Sequence, residues 1–251
     1  MKIRRCIVLS VLIGMVTLSC KDADKVAMDK ESNAVVTQAP IKSILTAEEQ
    51  AKMSPDEIIG RLKKGNENFI ANNLTTRDHS EQRRLAAIGQ YPKALVLSCV
   101  DSRVPVEDVF DLGIGDVFVA RVAGNIENPD IVGSMEFASA VAGSKVIIVM
   151  GHSACGAVKH AVDATDASSM GMTSLQKLLD EIKPAIIAEE NDEVSSKNTE
   201  FLNKVIANNV KRTVADIRSQ SPKMKSLEEN GDLKIVGAVY DMETGSVNFL
   251  D

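Results

Sequence analysis

Cys99, His152 and Cys155 are the residues of this chain whose types and spacing most directly suggest chemistry. Zinc takes thiolate and imidazole in tetrahedral geometry, and its catalytic sites commonly keep three protein ligands plus one solvent position. The only other histidines are His79 and His160, and the other cysteines, Cys6 and Cys20, fall in the first twenty residues. A fourth strong ligand is therefore scarce, and one Zn²⁺ per chain with an open position is the expectation. Two other arrangements use the same residues: a closed site with Asp101 as fourth ligand, and a Cys99–Cys155 disulfide in an exported protein. The disulfide leaves the His152-x-x-Cys155 spacing unexplained. Cobalt or iron could take the same ligands, but two thiolates and an imidazole suit zinc best.

Asp101 and Arg103 follow Cys99 at intervals of two, so in an extended segment all three side chains project to one side. A guanidinium beside a carboxylate keeps it ionised and binds it bidentately. Arg103 can thus hold Asp101 as an acceptor for a metal-bound water, although the same pair could be an ordinary surface ion pair. Zn²⁺ with two thiolates and a neutral imidazole has about zero net charge, so its water is less acidified than in a three-histidine site. An oriented acceptor matters more here.

These residues need a scaffold that brings them together. Apolar runs precede both motifs, at residues 94–97 and 146–150, which places the ligands at the carboxyl ends of buried strands, the edge where open parallel sheets build sites. Helical spacing predicts a helix over 56–72, with Ser54 as N-cap, Pro55 at its first position and Glu57 completing a capping box. Further helices are expected over 81–88, 128–142 (burying Ile131, Val132, Met135 and Phe137), 155–163, 174–190 and 199–220, with a helical turn at 106–110. Strands are expected over 93–100, 116–122, 145–150, 233–240 and 247–250. The alternation gives an α/β fold: a mostly parallel β-sheet flanked by helices, with a C-terminal antiparallel edge strand.

The remaining sequence bears on location. Lys2, Arg4 and Arg5 precede an apolar run over 7–18 that ends at Ser19-Cys20. Residues 1–19 read as a signal peptide and Cys20 as a lipobox cysteine, the site of lipid attachment in bacterial lipoproteins. Residues 20–53 are expected to form a lipid-anchored flexible tether, and 54–251 the catalytic domain. The protein is then exported to the cell envelope as a membrane-anchored lipoprotein, or is otherwise periplasmic. The net charge of −6 argues against nucleic-acid binding, and it leaves the lipid anchor as the only membrane contact.

The run Cys99-Val100-Asp101-Ser102-Arg103, followed well downstream by His152-Ser153-Ala154-Cys155, resembles the signature of the β-class carbonic anhydrases. Arg121-Val122-Ala123-Gly124-Asn125 is similar to another stretch found in many members. The resemblance implies the family's fold, zinc on Cys99, His152 and Cys155, and Asp101-Arg103 as catalytic dyad. It implies reversible hydration of carbon dioxide to bicarbonate and a proton, by attack of zinc-bound hydroxide. Gln90, nine residues before Cys99, and Phe118 match substrate-pocket residues of the plant-like members, and Phe137 stands where they often have Tyr. The Gly156 N–H at a helix start could also reach substrate, its other reading being tight packing. Val96 stands where the bicarbonate-inhibited subset carries Trp, and this chain has no Trp.

The family builds homodimers and homotetramers. Gln90 and Phe118 are therefore expected to serve a partner's zinc, and the helix beginning near Asp56 to reach across to that partner. Hydrolysis of another small linear electrophile such as carbon disulfide, or non-catalytic zinc or bicarbonate binding, are the alternative functions.

Overall fold

The computed structural model describes residues 39–250. In chain order the helices and strands are α1 (Ala47–Lys52), α2 (Pro55–Ile70), α3 (His79–Ala86), β1 (Ala94–Ser98), α4 (Val106–Val109), β2 (Val117–Arg121), α5 (Pro129–Glu136), β3 (Val146–His152), α6 (Gly156–Val162), α7 (Thr173–Ile182), α8 (Thr199–Gln220), α9 (Pro222–Glu229), β4 (Lys234–Tyr240) and β5 (Val247–Leu250). The expected signal peptide, Cys20 and the first part of the tether lie outside the described residues.

The sheet order is β2-β1-β3-β4-β5, parallel throughout except for β5, which runs antiparallel to β4 at one edge. Every residue of β1 and β3 is buried, as apolar strands covered on both faces require. Alternation divides them: Val96, Ile148 and Met150 pack with Ile58, Leu62, Val106 and Phe110 of α2 and the α4 region. Leu95, Leu97, Ile147 and Val149 pack with Met135, Val210, Val214 and Met224 of α5, α8 and α9. A third cluster, from α6, α7 and α8, closes around Cys99 and Cys155.

Ser54 and Glu57 form the expected capping box, with Pro55 opening α2. One face of that helix packs on its own sheet, where Ile58 and Leu62 are fully buried. Asn66 fixes it by donating to the Val109 and Gly245 carbonyls, at 3.1 and 2.9 Å, and by accepting from Val247 N–H at 2.9 Å. At Gly65 the helix meets the chain after α4 so closely that a Cβ would stand 1.9 Å from the Phe110 carbonyl oxygen. Gly65→Ala is therefore expected to lower the melting temperature. The helix-propensity gain of about 1 kcal/mol is outweighed by an overpacking cost of about 1–3 kcal/mol or more. A melting temperature at or above that of the native protein would contradict this close approach.

Several expectations need correction. Packing begins before residue 54: α1 carries its own Thr46–Glu49 capping box, and Met53 is buried. Gln50 donates to the Pro92 and Ala142 carbonyls at 2.8 and 2.9 Å, while Lys145 Nζ holds the Ala51 and Met53 carbonyls. Residues 45–53 are thus docked on the domain, by these polar contacts together with Leu45 and Met53 against the apolar core. The helix expected over 174–190 ends at Ile182 in a tight turn, Lys183–Ala185, since Pro184 has no N–H for the helical ladder. Beyond α8, Ser221 caps α9 with Pro222 at its first position, a helix absent from the expected set. Helix α5 gives way at Glu136 to a wider-wound turn, Phe137–Val141, leaving Phe137 50% exposed instead of buried.

Candidate metal centre

Adjacent parallel strands deliver the three ligands. Cys99 follows the end of β1, His152 closes β3, and Cys155 caps α6. Between them Ala154 adopts φ +56°, a left-handed conformation that turns the chain sharply from β3 into α6. The three ligand atoms lie within 4.8 Å of one another, and all three residues are buried. The two sulfurs are 4.0 Å apart and both thiols are free, well beyond the roughly 2.05 Å of a disulfide.

The donor set fits a metal ion. His152 Nδ1 lies 2.9 Å from the Ser153 carbonyl oxygen and must carry the proton that it donates there. Nε2 is then a bare acceptor, and it is buried with no partner among the described residues. An unsatisfied buried nitrogen is costly unless something binds it. The thiols show the same need. Donation from Cys155 pulls the Cys99 thiol well down, and that bond together with burial pushes Cys155 up. One thiolate forms readily, while two in this pocket call for a cation.

Arg103 turns Asp101 into a fixed acceptor beside this pocket. Arg103 Nε donates to Oδ1 at 2.9 Å, Nη2 to Oδ2 at 2.7 Å, and the Arg103 backbone N–H to Oδ1 at 3.0 Å. These bonds, the side-chain ones first, hold the carboxyl well below the usual carboxylate range although burial opposes them. Oδ2 is 3.8 Å from His152 Nε2, beside the ligand set, with both oxygens engaged by Arg103. The side chain of Asp101 is 15% exposed against 56% for Arg103, so the pair faces outward from the buried ligands.

Two residues acquire roles that spacing alone did not assign. Arg121, at the end of β2, donates to the Cys99 carbonyl at 2.9 Å and to the Val104 carbonyl at 2.5 Å, bracketing the loop that carries Asp101. Gly124 directs its backbone N–H at Cys99 Sγ, 3.4 Å away. The signal for both was their place in one run at the same sheet edge as the ligands.

The candidate substrate residues are divided. Gly156 is exposed at the start of α6, and a Cβ there would meet nothing within 4 Å, so tight packing does not explain the glycine. Phe118 and Phe137 meet edge to face with centroids 6.1 Å apart. They line a groove of about 740 Å³ along β2 and α5 that includes Leu95, Pro129 and Ile131 but none of the three ligands. Gln90 precedes the amino end of β1, so the length of that strand, about 13 Å at 3.3 Å per residue, separates it from Cys99.

The family model described as carbonic anhydrase matches residues 94–247. Carbonic anhydrase 2 of Mycobacterium tuberculosis strain H37Rv is 34% identical over 185 residues, covering 73% of this chain and 87% of that protein. The carbonic anhydrase of Mycolicibacterium smegmatis is 33% identical over 187 residues, covering 74% and 88%. Among solved structures, the β-carbonic anhydrase CcaA superposes with a TM-score of 0.60 at 25% identity, over 78% of this chain and 94% of that one. A tetrameric β-carbonic anhydrase of Sordaria macrospora shares the fold, with a TM-score of 0.57 at 23% identity over 78% and 92%.

Proposed function

The chain belongs to the β-carbonic anhydrases, and from that membership we propose how its own residues carry reversible hydration of carbon dioxide: one Zn²⁺ on Cys99, His152 and Cys155, served by an Asp101–Arg103 dyad. The observation that supports this most strongly is the partnerless His152 Nε2, buried beside two thiols and next to an ionised carboxylate. Zinc at this place would supply Lewis acidity and a nucleophile from water near neutral pH. Asp101 accepts the hydrogen bond of the attacking water and orients it toward carbon. Arg103 keeps Asp101 ionised and aimed, and Arg121 keeps the loop between Cys99 and Val104 in place. The exposed Gly156, at the start of α6, would let its N–H reach an oxygen of bicarbonate.

Stopped-flow carbon dioxide hydration, with zinc measured on the same sample, tests the proposal. About one zinc per chain with fast hydration supports it. Zinc without hydration from neutral to alkaline pH overturns it in favour of another small electrophile, such as carbon disulfide, or of a binding role. Metal-free protein with Cys99 and Cys155 oxidised would identify the pair as a disulfide.

The pocket is completed, on this reading, by a second copy. Gln90 and the Phe118–Phe137 groove lie away from their own ligands, which supports their serving the zinc of a partner in a homodimer or homotetramer. Light scattering coupled to size exclusion is expected to give a dimer or tetramer, and a fully active monomer would refute cross-subunit completion. We further propose export and lipidation at Cys20, supported by the basic and apolar N-terminal sequence. Among the described residues no helix is long and apolar enough to cross a membrane. Labelled fatty acid should enter the protein and be lost in Cys20→Ser.

A further inference from the structure

We infer that Asn209 is a positioning residue of the metal centre, holding the turn at Val122–Asn125 so that the Gly124 N–H stays on the Cys99 sulfur. The inference rests on the zinc reading above. Asn209 sits on α8 and is 2% exposed. Its Nδ2 donates to the Gly124 carbonyl at 2.8 Å. The buried face of α8 is otherwise mostly apolar, including Phe201, Leu202, Val205, Ile206 and Val210. A buried amide on such a face is unfavourable unless it is hydrogen-bonded, whereas leucine would pack there readily. The carbonyl of Gly124 is the partner that accounts for it.

The turn it holds would not persist unaided. Gly124 has φ +71° and the next residue, Asn125, has φ +45°, so two successive residues are left-handed and the second is not glycine. Such backbone survives where its surroundings over-determine it. Here the Asn125 N–H bonds the Val122 carbonyl at 2.9 Å, and Ile182 Cδ1 would lie 2.6 Å from any Cβ at Gly124. Asn209 supplies the long-range anchor. The consequence reaches the metal through sulfur, because an N–H donated to a thiolate withdraws charge from it and fixes its direction. Partners one step removed from the ligands commonly alter metal affinity by about 10- to 100-fold when lost.

The test uses the full chain. Asn209→Leu keeps the branched shape, though it is larger, and removes the donor, and Asn209→Ser, whose hydroxyl is too short to span the gap, serves if the first variant does not fold. Thr213→Val, also buried on α8, controls for general loosening of the helix. Zinc affinity is measured by chelator competition, and the sulfur-to-metal charge-transfer absorption is recorded on the cobalt-substituted protein. Either Asn209 variant is expected to weaken zinc about 10- to 100-fold and shift the cobalt band, with Thr213→Val moving neither. Native affinity and an unshifted band in the Asn209 variants, or equal losses in Thr213→Val, would overturn the inference while leaving the zinc reading intact. Failure of the native protein to take up zinc would overturn both.

Discussion

Asp101→Asn is expected to lower kcat for carbon dioxide hydration by about 10²- to 10⁴-fold while leaving about one zinc per chain, the range seen when a positioned proton acceptor is lost. The carboxylate lies 3.8 Å from His152 Nε2 and is anchored through both oxygens, so it is aimed at the water position rather than built into the ligand set. An amide of the same shape keeps one acceptor but presents N–H groups where an anion stood. The zinc ligands are untouched, so metal content should not follow activity down. Zinc analysis and stopped-flow rates on one sample separate the two effects. An undiminished kcat would remove Asp101 from the mechanism, and loss of zinc along with activity would make it a ligand.

The dyad also bears on the pH dependence. Arg103 holds the carboxyl below its usual range, so Asp101 is ionised through mildly acidic and neutral pH. In Arg103→Leu that hold is lost and the carboxyl returns toward its ordinary pKa of about 3.9. That value still lies well below the near-neutral pH at which the water would be activated, so Arg103→Leu should lower kcat through a misaimed carboxylate without moving the acid limit of the pH–rate profile, and a limit moved to higher pH would show that Asp101 itself sets it.

The residues that could be read from the sequence are those whose meaning is local. Cys99, Asp101 and Arg103 share one side of an extended segment, and His152 and Cys155 follow a strand whose apolar run is plain. Two parallel neighbours, β1 and β3, then bring them together with no further information. The antiparallel edge strand was equally legible, since the Asp241–Ser246 turn joins two short apolar runs. What stayed hidden depends on contacts between distant segments. The Gln50 side chain docks a polar helix by reaching carbonyls far along the chain, and no hydrophobic pattern records that. The burial of α2 on its own sheet, the exposure of Phe137 and the donation from Gly124 to Cys99 likewise depend on tertiary geometry.

Cys155→Ser is expected to abolish stoichiometric zinc binding and reduce hydration to background, yet to leave the chain folded. Cys155 is the N-cap of α6, with extended backbone angles, and its sulfur faces the Ala157 and Val158 N–H groups without closing a side-chain capping bond. Serine is a strong N-cap residue, so its hydroxyl can accept from an amide of the first turn and offset, by about 1 kcal/mol, the loss of a buried thiol. The metal has no such compensation. A neutral hydroxyl replaces a thiolate, leaving Zn²⁺ with one thiolate and one imidazole. Ligand linkage supplies the measurement: a site filled at about a thousand times its Kd raises stability by about 4 kcal/mol, which chelation removes. The melting temperature of the native protein should therefore fall on chelation to near that of Cys155→Ser, while the variant does not respond. A variant that kept its zinc and melted lower with chelator would show that His152 and Cys99 suffice, and the three-ligand centre would have to be redrawn.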